Sequence, residues 1–384
     1  MAAMMDTSNK VSIIGTGLQY PPYKHGPEFI PMLVSRHYPS SPALQKVLEI
    51  NMKTKIENRY SILPSDHPVW HQKSILTTTE CDALFKEYGI PLAEDTARQA
   101  LKDWGGNPMD ITHVVAVTCT SMSSPGFDCT LCKNLGLGKN VRRTLLNGVT
   151  CASSIAAIRT AYELLLGASH EGKRARALVV ACEAMTIHIR GIMEWIAQEE
   201  TPNLGPVLFA DGASALIMSN GICITKDEKP PLWNILGAQT TLLDNSDCVG
   251  IIPIITKELP KIIKSVLPSM FRTLIASTAS LSSDENNYDP TTYDWALHPG
   301  GYSIIHGGEQ ALGLSPHHLR KSYDCYRTAG NTSSATVLGI IHRLAREHLS
   351  GEEGRDKMIG AAFGADITIE MIVFKKPSCV PDTL

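Results

Sequence analysis

Apolar residues along the chain fall into two alternating kinds of run. Short blocks rich in Val, Ile and Ala, bounded by glycine or polar residues, predict buried strands at 11–17, 113–118, 144–146, 177–182, 213–219, 232–237, 293–297 and 367–374. Longer stretches with apolar positions three and four apart predict helices at 94–104, 153–166, 259–275 and 333–347, the second ending at Gly167. A strand-then-helix rhythm in both parts of the chain favours parallel sheets with covering helices, an α/β fold.

The rhythm restarts after a charged, proline-containing stretch at 226–231, which predicts two halves, 1–226 and 227–384. Residues Asn147-Gly148-Val149-Thr150-Cys151-Ala152-Ser153-Ser154-Ile155 are echoed by Ala329-Gly330-Asn331-Thr332-Ser333-Ser334-Ala335. Each stretch sets one polar residue ahead of a small, helix-forming run: Cys151 in the first half, Asn331 in the second. An offset of about 180 relates the two, and also lays the strand before Thr118 over the strand before His298. Internal duplication accounts for this. Two such halves can pack sheet to sheet around shared central helices, with an active site between them at the carboxyl ends of strands.

Composition narrows the partners. Net charge is −3, from 35 basic and 38 acidic residues, with no long basic block, which argues against nucleic acid. No run approaches the ~18 apolar residues of a membrane span. Residues 1–10 lack the apolar segment of a signal peptide, and ten cysteines are too sparse for a disulfide scaffold. The expectation is a cytoplasmic chain with reduced thiols. Cys129 and Cys132 match CxxC, but no second pair lies at zinc spacing; they read as core cysteines on a helix, and no metal is expected. Ile14-Gly15-Thr16-Gly17 lacks the third glycine of a dinucleotide loop and reads as a tight strand-end turn. No cofactor is expected.

The chemistry concentrates on three residues. A free thiol is only a few per cent ionised at neutral pH, and a helix N-terminus or a neighbouring imidazolium favours the thiolate. Cys151 stands at a predicted helix start. His298 closes a predicted strand, and Pro299-Gly300-Gly301 after it forces a turn that projects the ring at the sheet edge. Asn331 can donate an N–H to a developing oxyanion or orient the imidazole, without acting as acid or base.

These residues, with several motifs in order, resemble the type III polyketide synthases, the chalcone and stilbene synthase superfamily of the thiolase fold. The motifs are Ile56-Glu57-Asn58-Arg59-Tyr60, Ser124-Pro125-Gly126-Phe127-Asp128, Val149-Thr150-Cys151-Ala152, Leu208-Phe209-Ala210-Asp211-Gly212-Ala213, His298-Pro299-Gly300-Gly301 and Gly330-Asn331-Thr332-Ser333-Ser334-Ala335. The resemblance runs from about Val11 to Phe374 and implies a five-layer αβαβα fold. It implies that Cys151 takes an acyl group from an acyl-CoA starter, with His298 holding the thiolate as an ion pair. His298 and Asn331 stabilise the enolate from malonyl-CoA decarboxylation. Phe209 becomes a gatekeeping aromatic. Lys46 and Lys53 match CoA-phosphate positions, a third of which falls on Glu49; Arg59, Gly300 and Ser303 join that CoA-binding set. A homodimer is implied, with the Ser124 loop passed toward the partner's cavity.

Departures from the plant pattern cluster at the cavity. Cys119 and His188 stand where threonine is common, and Pro253 stands for a second gatekeeping phenylalanine. The late Gly-Phe-Gly-Pro-Gly loop reads Ala362-Phe363-Gly364-Ala365-Asp366. With Ser333, these residues line the implied pocket and point toward fungal relatives that use fatty acyl-CoA starters and form alkylpyrones or alkylresorcinols. Three rival readings remain: an initiating ketoacyl-carrier-protein synthase, which shares Cys, His and Asn; a papain-like protease, with His about 147 residues after Cys; and a non-catalytic acyl-CoA-binding protein.

Overall fold

The structure, a computed structural model, describes residues 10–224, 229–243, 259–351, 354–364 and 368–377. The first half runs through β1 (Val11–Gln19), β2 (Tyr23–His25), α1 (Phe29–His37), α2 (Pro42–Asn51), β3 (Arg59–Ser61), α3 (Thr78–Leu84), α4 (Ile90–Trp104), β4 (His113–Val117), α5 (Phe127–Asn134), β5 (Arg142–Leu146), α6 (Ser153–His170), β6 (Arg176–Glu183), α7 (Ile189–Glu199), α8 (Gly205–Leu208) and β7 (Gly212–Asn220). The second half holds β8 (Trp233–Leu242), α9 (Leu259–Ser277), β9 (Asp294–Leu297), α10 (Tyr302–Leu312), α11 (Arg320–Ala329), α12 (Ala335–Leu349), β10 (Lys357–Phe363) and β11 (Thr368–Lys375).

Nine strands are hydrogen-bonded in the order β5-β4-β6-β7-β1-β8-β11-β10-β9, and β2 pairs with β3 apart from them. The pairing repeats between halves. β1 is antiparallel to β7, β7 to β6, and β6 is parallel to β4; β8 is antiparallel to β11, β11 to β10, and β10 is parallel to β9. The all-parallel expectation is therefore corrected: the sheets are mixed. A parallel pair needs a crossover of a dozen or more residues, and the four positions between Phe363 and Thr368 can close only a hairpin.

β1 meets β8 over three residue pairs only. At this junction the nine strands turn over, so that the half-sheets lie on opposite sides of α6 and α12. Each of these helices packs on strands of both halves and on the other. α4 covers the outer face of β1, β6 and β7, and α9 covers β8 and β11, giving five layers, α/β/α/β/α. The central layer packs through an apolar core: Ile155, Ile158 and Leu165 of α6 and Val337, Leu338 and Ile341 of α12 are all fully buried with Val115, Val179, Leu216, Ile372 and Phe374. Burying each such aliphatic side chain contributes roughly 1.5–3 kcal/mol. Close approach is set by Gly360 on β10, where an added Cβ would lie 3.0 Å from both Ile155 and Ile372.

α6 runs past Gly167 to His170, because one interior glycine costs only about 1 kcal/mol and Gly172, at φ 68°, ends the run instead. α12 starts two residues later than expected, since Ser333 has φ 50° and cannot be helical. Cys129 and Cys132 sit on α5 as the pattern implied, the second buried. Residues 226–228 of the expected linker lie outside the described residues.

Candidate active site

Cys151 sits on a single 3-10 turn, Thr150–Ala152, that leads directly into α6. Thr150 before it has φ 52°, a left-handed backbone that a β-branched residue adopts only at a cost. The second half builds the equivalent turn ahead of α12. Gly148 and Gly330 both have positive φ, and α6 and α12 begin at Ser153 and Ala335. This sets the offset at 182 and corrects the expected pairing: Cys151 corresponds to Ser333, and Asn331 to Val149. The two equivalents face each other, with Cys151 Sγ 3.6 Å from Ser333 Oγ.

Asn331 is held on both sides. Its backbone N–H donates to Leu208 O (2.9 Å) and its carbonyl accepts from Ala210 N (2.9 Å), so Phe209 and Asn331 run side by side. The side-chain Oδ1 accepts from Ser333 N (2.8 Å), which leaves the amide N–H groups free to donate, and the amide reaches the Cys151 thiol. Phe209 is buried, packed against Gly205. Asp211 fixes this segment: its carboxylate accepts from Ile62 N (2.8 Å), Thr186 N (2.7 Å) and Thr186 Oγ1 (2.6 Å). Burial pushes its pKa up to about 7 against those hydrogen bonds.

His298 follows β9, and its N–H donates to Ala361 O (2.8 Å) on β10, the strand that packs against the Cys151 turn. Gly301 lies beneath Leu208, so the His298 turn closes on the segment that binds Asn331. The ring is 2% exposed, yet neither nitrogen has a hydrogen-bond partner among the described residues. Leaving such groups unpaired costs roughly 1–3 kcal/mol each, and sites that tolerate this usually serve a ligand. Burial lowers the His298 pKa to about 3 and raises that of Cys151 to about 11, the hydroxyl of Ser333 and the amide of Asn331 pulling the latter back. Burial thus disfavours the charged form of each group.

Glu183 has no counterpart in the sequence reading. It ends β6, an entirely buried strand, and its carboxylate collects Cys119 N (3.0 Å), Thr120 Oγ1 (3.0 Å), Thr118 Oγ1 (3.3 Å), Cys119 Sγ (3.4 Å) and Ser334 Oγ. A carboxylate closing a run of apolar residues was the available signal. Cys119 also lies 3.5 Å from Ser333 Oγ, so Ser333 stands between two thiols. Burial raises the pKa of Cys119 and of Glu183.

The other expected residues divide. His188 is near the same loop, its Nε2 donating to Thr120 O (3.2 Å). Phe363 is buried at the end of β10, and Gly300 turns back on His298 through its N–H to the His298 carbonyl (3.0 Å). Ser303 is exposed on the first turn of α10, and Lys46 and Lys53 are exposed on and just after α2. Ser124 is exposed, on the loop between β4 and α5. Pro253 lies outside the described residues. Arg59 is corrected: it is 1% exposed, and its guanidinium donates to Val207 O and Asn51 Oδ1 (3.0 Å), so it braces the α8 segment from within and presents no charge to a phosphate. Among the described residues no cluster of His, Cys, Asp or Glu could hold a metal ion, and no helix is long and apolar enough to cross a membrane.

Comparison with known proteins agrees with this architecture. Residues 35–221 match the N-terminal domain of chalcone and stilbene synthases, and residues 235–377 match the C-terminal domain. An acylalkylpyrone synthase from Aspergillus oryzae, CsyB, is 45% identical over 96% of this chain and 94% of that protein. A type III polyketide synthase from Penicillium soppii is 34% identical over 95% of this chain and 96% of that protein. The crystal structure of CsyB complexed with CoA-SH superposes with a TM-score of 0.92, covering 96% of this chain and all of that one. A fungal type III polyketide synthase structure, ORAS, is 37% identical with a TM-score of 0.91 over the same share of this chain and all of its own. With a duplicated five-layer α/β fold whose halves meet at Cys151 and Ser333, the chain belongs to the chalcone and stilbene synthase family and is a type III polyketide synthase.

Proposed function

We propose that this chain loads a fatty acyl group from CoA onto Cys151, extends it with malonyl-CoA and cyclises the product to an alkylpyrone or alkylresorcinol, working as a cytoplasmic homodimer. The observation that carries the residue roles is the His298 ring, buried with both nitrogens unpartnered, next to the segment that orients Asn331 with its amide N–H groups uncommitted.

Cys151 Sγ passes its proton to His298 and attacks the starter thioester carbonyl. The C–S bond to CoA breaks and CoA leaves with the proton. Malonyl-CoA then loses CO2, and the electron pair of the broken C–C bond becomes an enolate, its oxygen held by N–H groups of His298 and Asn331. The enolate carbon attacks the Cys151 thioester, Sγ leaves, and the lengthened chain stays on CoA for reloading. Each preorganised donor is worth about 10²–10³ in rate. Decarboxylation supplies the carbanion, so the scheme calls on no metal or redox group.

A fatty starter is favoured by the A. oryzae relative, an acylalkylpyrone synthase, and by the departure from the plant pattern at Cys119 and His188. A dimer is supported by β5, an edge strand with no strand hydrogen-bonded to its outer side among the described residues, and by Met122, 69% exposed in the loop ahead of Ser124. The test is product analysis by mass spectrometry over aromatic and C6–C18 acyl-CoA starters with malonyl-CoA. Pyrone or resorcinol products from fatty starters, absent in Cys151→Ala, are expected. Products from an aromatic starter alone would remove the substrate assignment; condensation by Cys151→Ala would remove the mechanism.

A further inference from the structure

The 3-10 turn Met185–His188, between β6 and α7, is tied to the site on three sides. Glu183 ends the strand before it. Thr186 binds Asp211 through its N–H (2.7 Å) and its hydroxyl (2.6 Å), two residues past Phe209. His188 reaches the loop of Cys119, its ring Nε2 3.2 Å from Thr120 O. Thr120 is itself fixed, because its hydroxyl donates to Glu183 (3.0 Å) and accepts from Ala184 N (3.0 Å). Ile192, one turn on along the same face of α7, packs beside the Phe209 segment: a Cβ added at Gly205 would lie 3.1 Å from both Ile192 and Phe209. The imidazole is thus set on the wall that joins the Phe209 segment to the loop of Cys119. That thiol and Cys151 share Ser333 Oγ, at 3.5 and 3.6 Å.

The Thr120 contact decides the chemistry of the ring. A carbonyl can only accept, so Nε2 carries the proton and Nδ1 keeps a lone pair. Nδ1 has no hydrogen-bond partner among the described residues. Burial lowers the His188 pKa, and the Thr120 carbonyl and the Asp82 carboxylate pull it back. The ring is therefore an uncharged base at rest. An acceptor and an anion are already in place for the imidazolium that forms when Nδ1 takes a proton.

We infer that His188 is the base that closes a pyrone ring: Nδ1 takes the proton of an enol hydroxyl on the extended chain, and the oxygen attacks the thioester carbonyl. The new C–O bond completes the lactone. The C–S bond to Cys151 breaks, and Sγ leaves with the proton returned by Nδ1, so no further reactant enters. The inference rests on the reading that the chain extends an acyl starter with malonyl-CoA, and it narrows the product to the alkylpyrone.

The test times CO2 and pyrone release by quenched flow during the first turnovers of a fatty acyl-CoA with malonyl-CoA, in the unaltered enzyme, His188→Gln and His188→Ala. A positioned general base contributes about 10²–10⁴ in rate. Both variants should release pyrone at least about 10²-fold more slowly, with CO2 release slowed far less, and enzyme carrying the uncyclised chain should accumulate in the intact mass spectrum. Glutamine can still donate to Thr120 O but cannot take the proton. Added imidazole should restore pyrone release in His188→Ala and not in His188→Gln, whose side chain fills the place. Equal slowing of CO2 and pyrone would mark a structural role and overturn the assignment. Pyrone release at the unaltered rate in either variant, or a resorcinol as the product of the unaltered enzyme, would overturn it too, and in each case the polyketide reading stands. Failure of the unaltered enzyme to form any polyketide would overturn both.

Discussion

Asp211 offers a direct measure of what holds the site together. Two effects compete for its carboxylate. Complete burial disfavours the anion, whereas the Ile62 and Thr186 N–H groups and the Thr186 hydroxyl favour it. Burial prevails, lifting the pKa from the ordinary 3.8 to about 7. The folded state therefore binds this proton more tightly than the unfolded chain, and stability contributed by the group is full below about pH 4 and is lost as pH rises to about 7. At 1.36 kcal/mol per pH unit, the loss across that window is ~4 kcal/mol. His298, with its pKa lowered to about 3, works the other way, losing stability as pH falls below about 6.5, so the raw pH profile mixes the two. Asp211→Asn separates them. The amide keeps one acceptor and turns an N–H toward a buried donor, which costs roughly 1–3 kcal/mol. The informative quantity is how that cost changes with pH. Urea unfolding of both proteins at half-unit steps from pH 4 to 8 should show the substitution costing most at the acid end and ~4 kcal/mol less above pH 7. A cost that grows with pH would mean that the three hydrogen bonds outweigh burial, and the argument would fail. Activity should fall at every pH, because the segment pinned by Asp211 carries Phe209 and braces Asn331.

Other substitutions probe separate links. Asn331→Ala should lower kcat by about 10²–10³ with little change in KM, read by release of CO2 from malonyl-CoA. Gly360→Val forces methyl groups toward Ile155 and Ile372 and should destabilise the fold by about 1–3 kcal/mol, seen as a lower unfolding midpoint. Glu183→Ala strands the buried Cys119 N–H and frees three hydroxyls; a stability loss of roughly 1–3 kcal/mol is expected by denaturant titration, with Glu183→Gln milder. Phe209→Ala should open the passage between substrate tunnel and cavity and shift the product distribution, measured by mass spectrometry, while leaving the unfolding midpoint lowered by the usual cost of a large cavity, about 3–5 kcal/mol.

The strands of the central layers were legible because a strand covered by helices on both faces must be apolar along its whole length, and such runs stand out. Strand direction was not, since a period of two carries no sense of up or down; the short β10–β11 connection held that information. The turns that carry Cys151, His298 and Asn331 were legible from local grammar, each beside a glycine turn and a strand end or helix start. Glu183 and Arg59 were misjudged or missed for the same reason: a charged side chain is read as exposed, and only tertiary contacts reveal five donors around one and an inward carbonyl for the other.

The duplication shows how a matching error arises and what the structure adds. Pairing Cys151 with Asn331 aligns the two polar residues that stand out, and it suits an offset near 180, which the strand ends Val117 and Leu297 do share. The helix starts differ by 182, and the stretches that precede them are built differently, with α5 and β5 in the first half and α10 and α11 in the second; by helix starts, Asn331 occupies a place held by Val149 in the first half. Duplicated halves related by a twofold-like arrangement bring equivalent residues face to face, as Cys151 and Ser333 are. One equivalent is a thiol, while the other is a hydroxyl within hydrogen-bonding distance of it. The residue beside that hydroxyl's turn was then available for an amide. The two turns thus differ both in the side chains they carry and in the elements that lead into them, α5 and β5 in one half and α10 and α11 in the other.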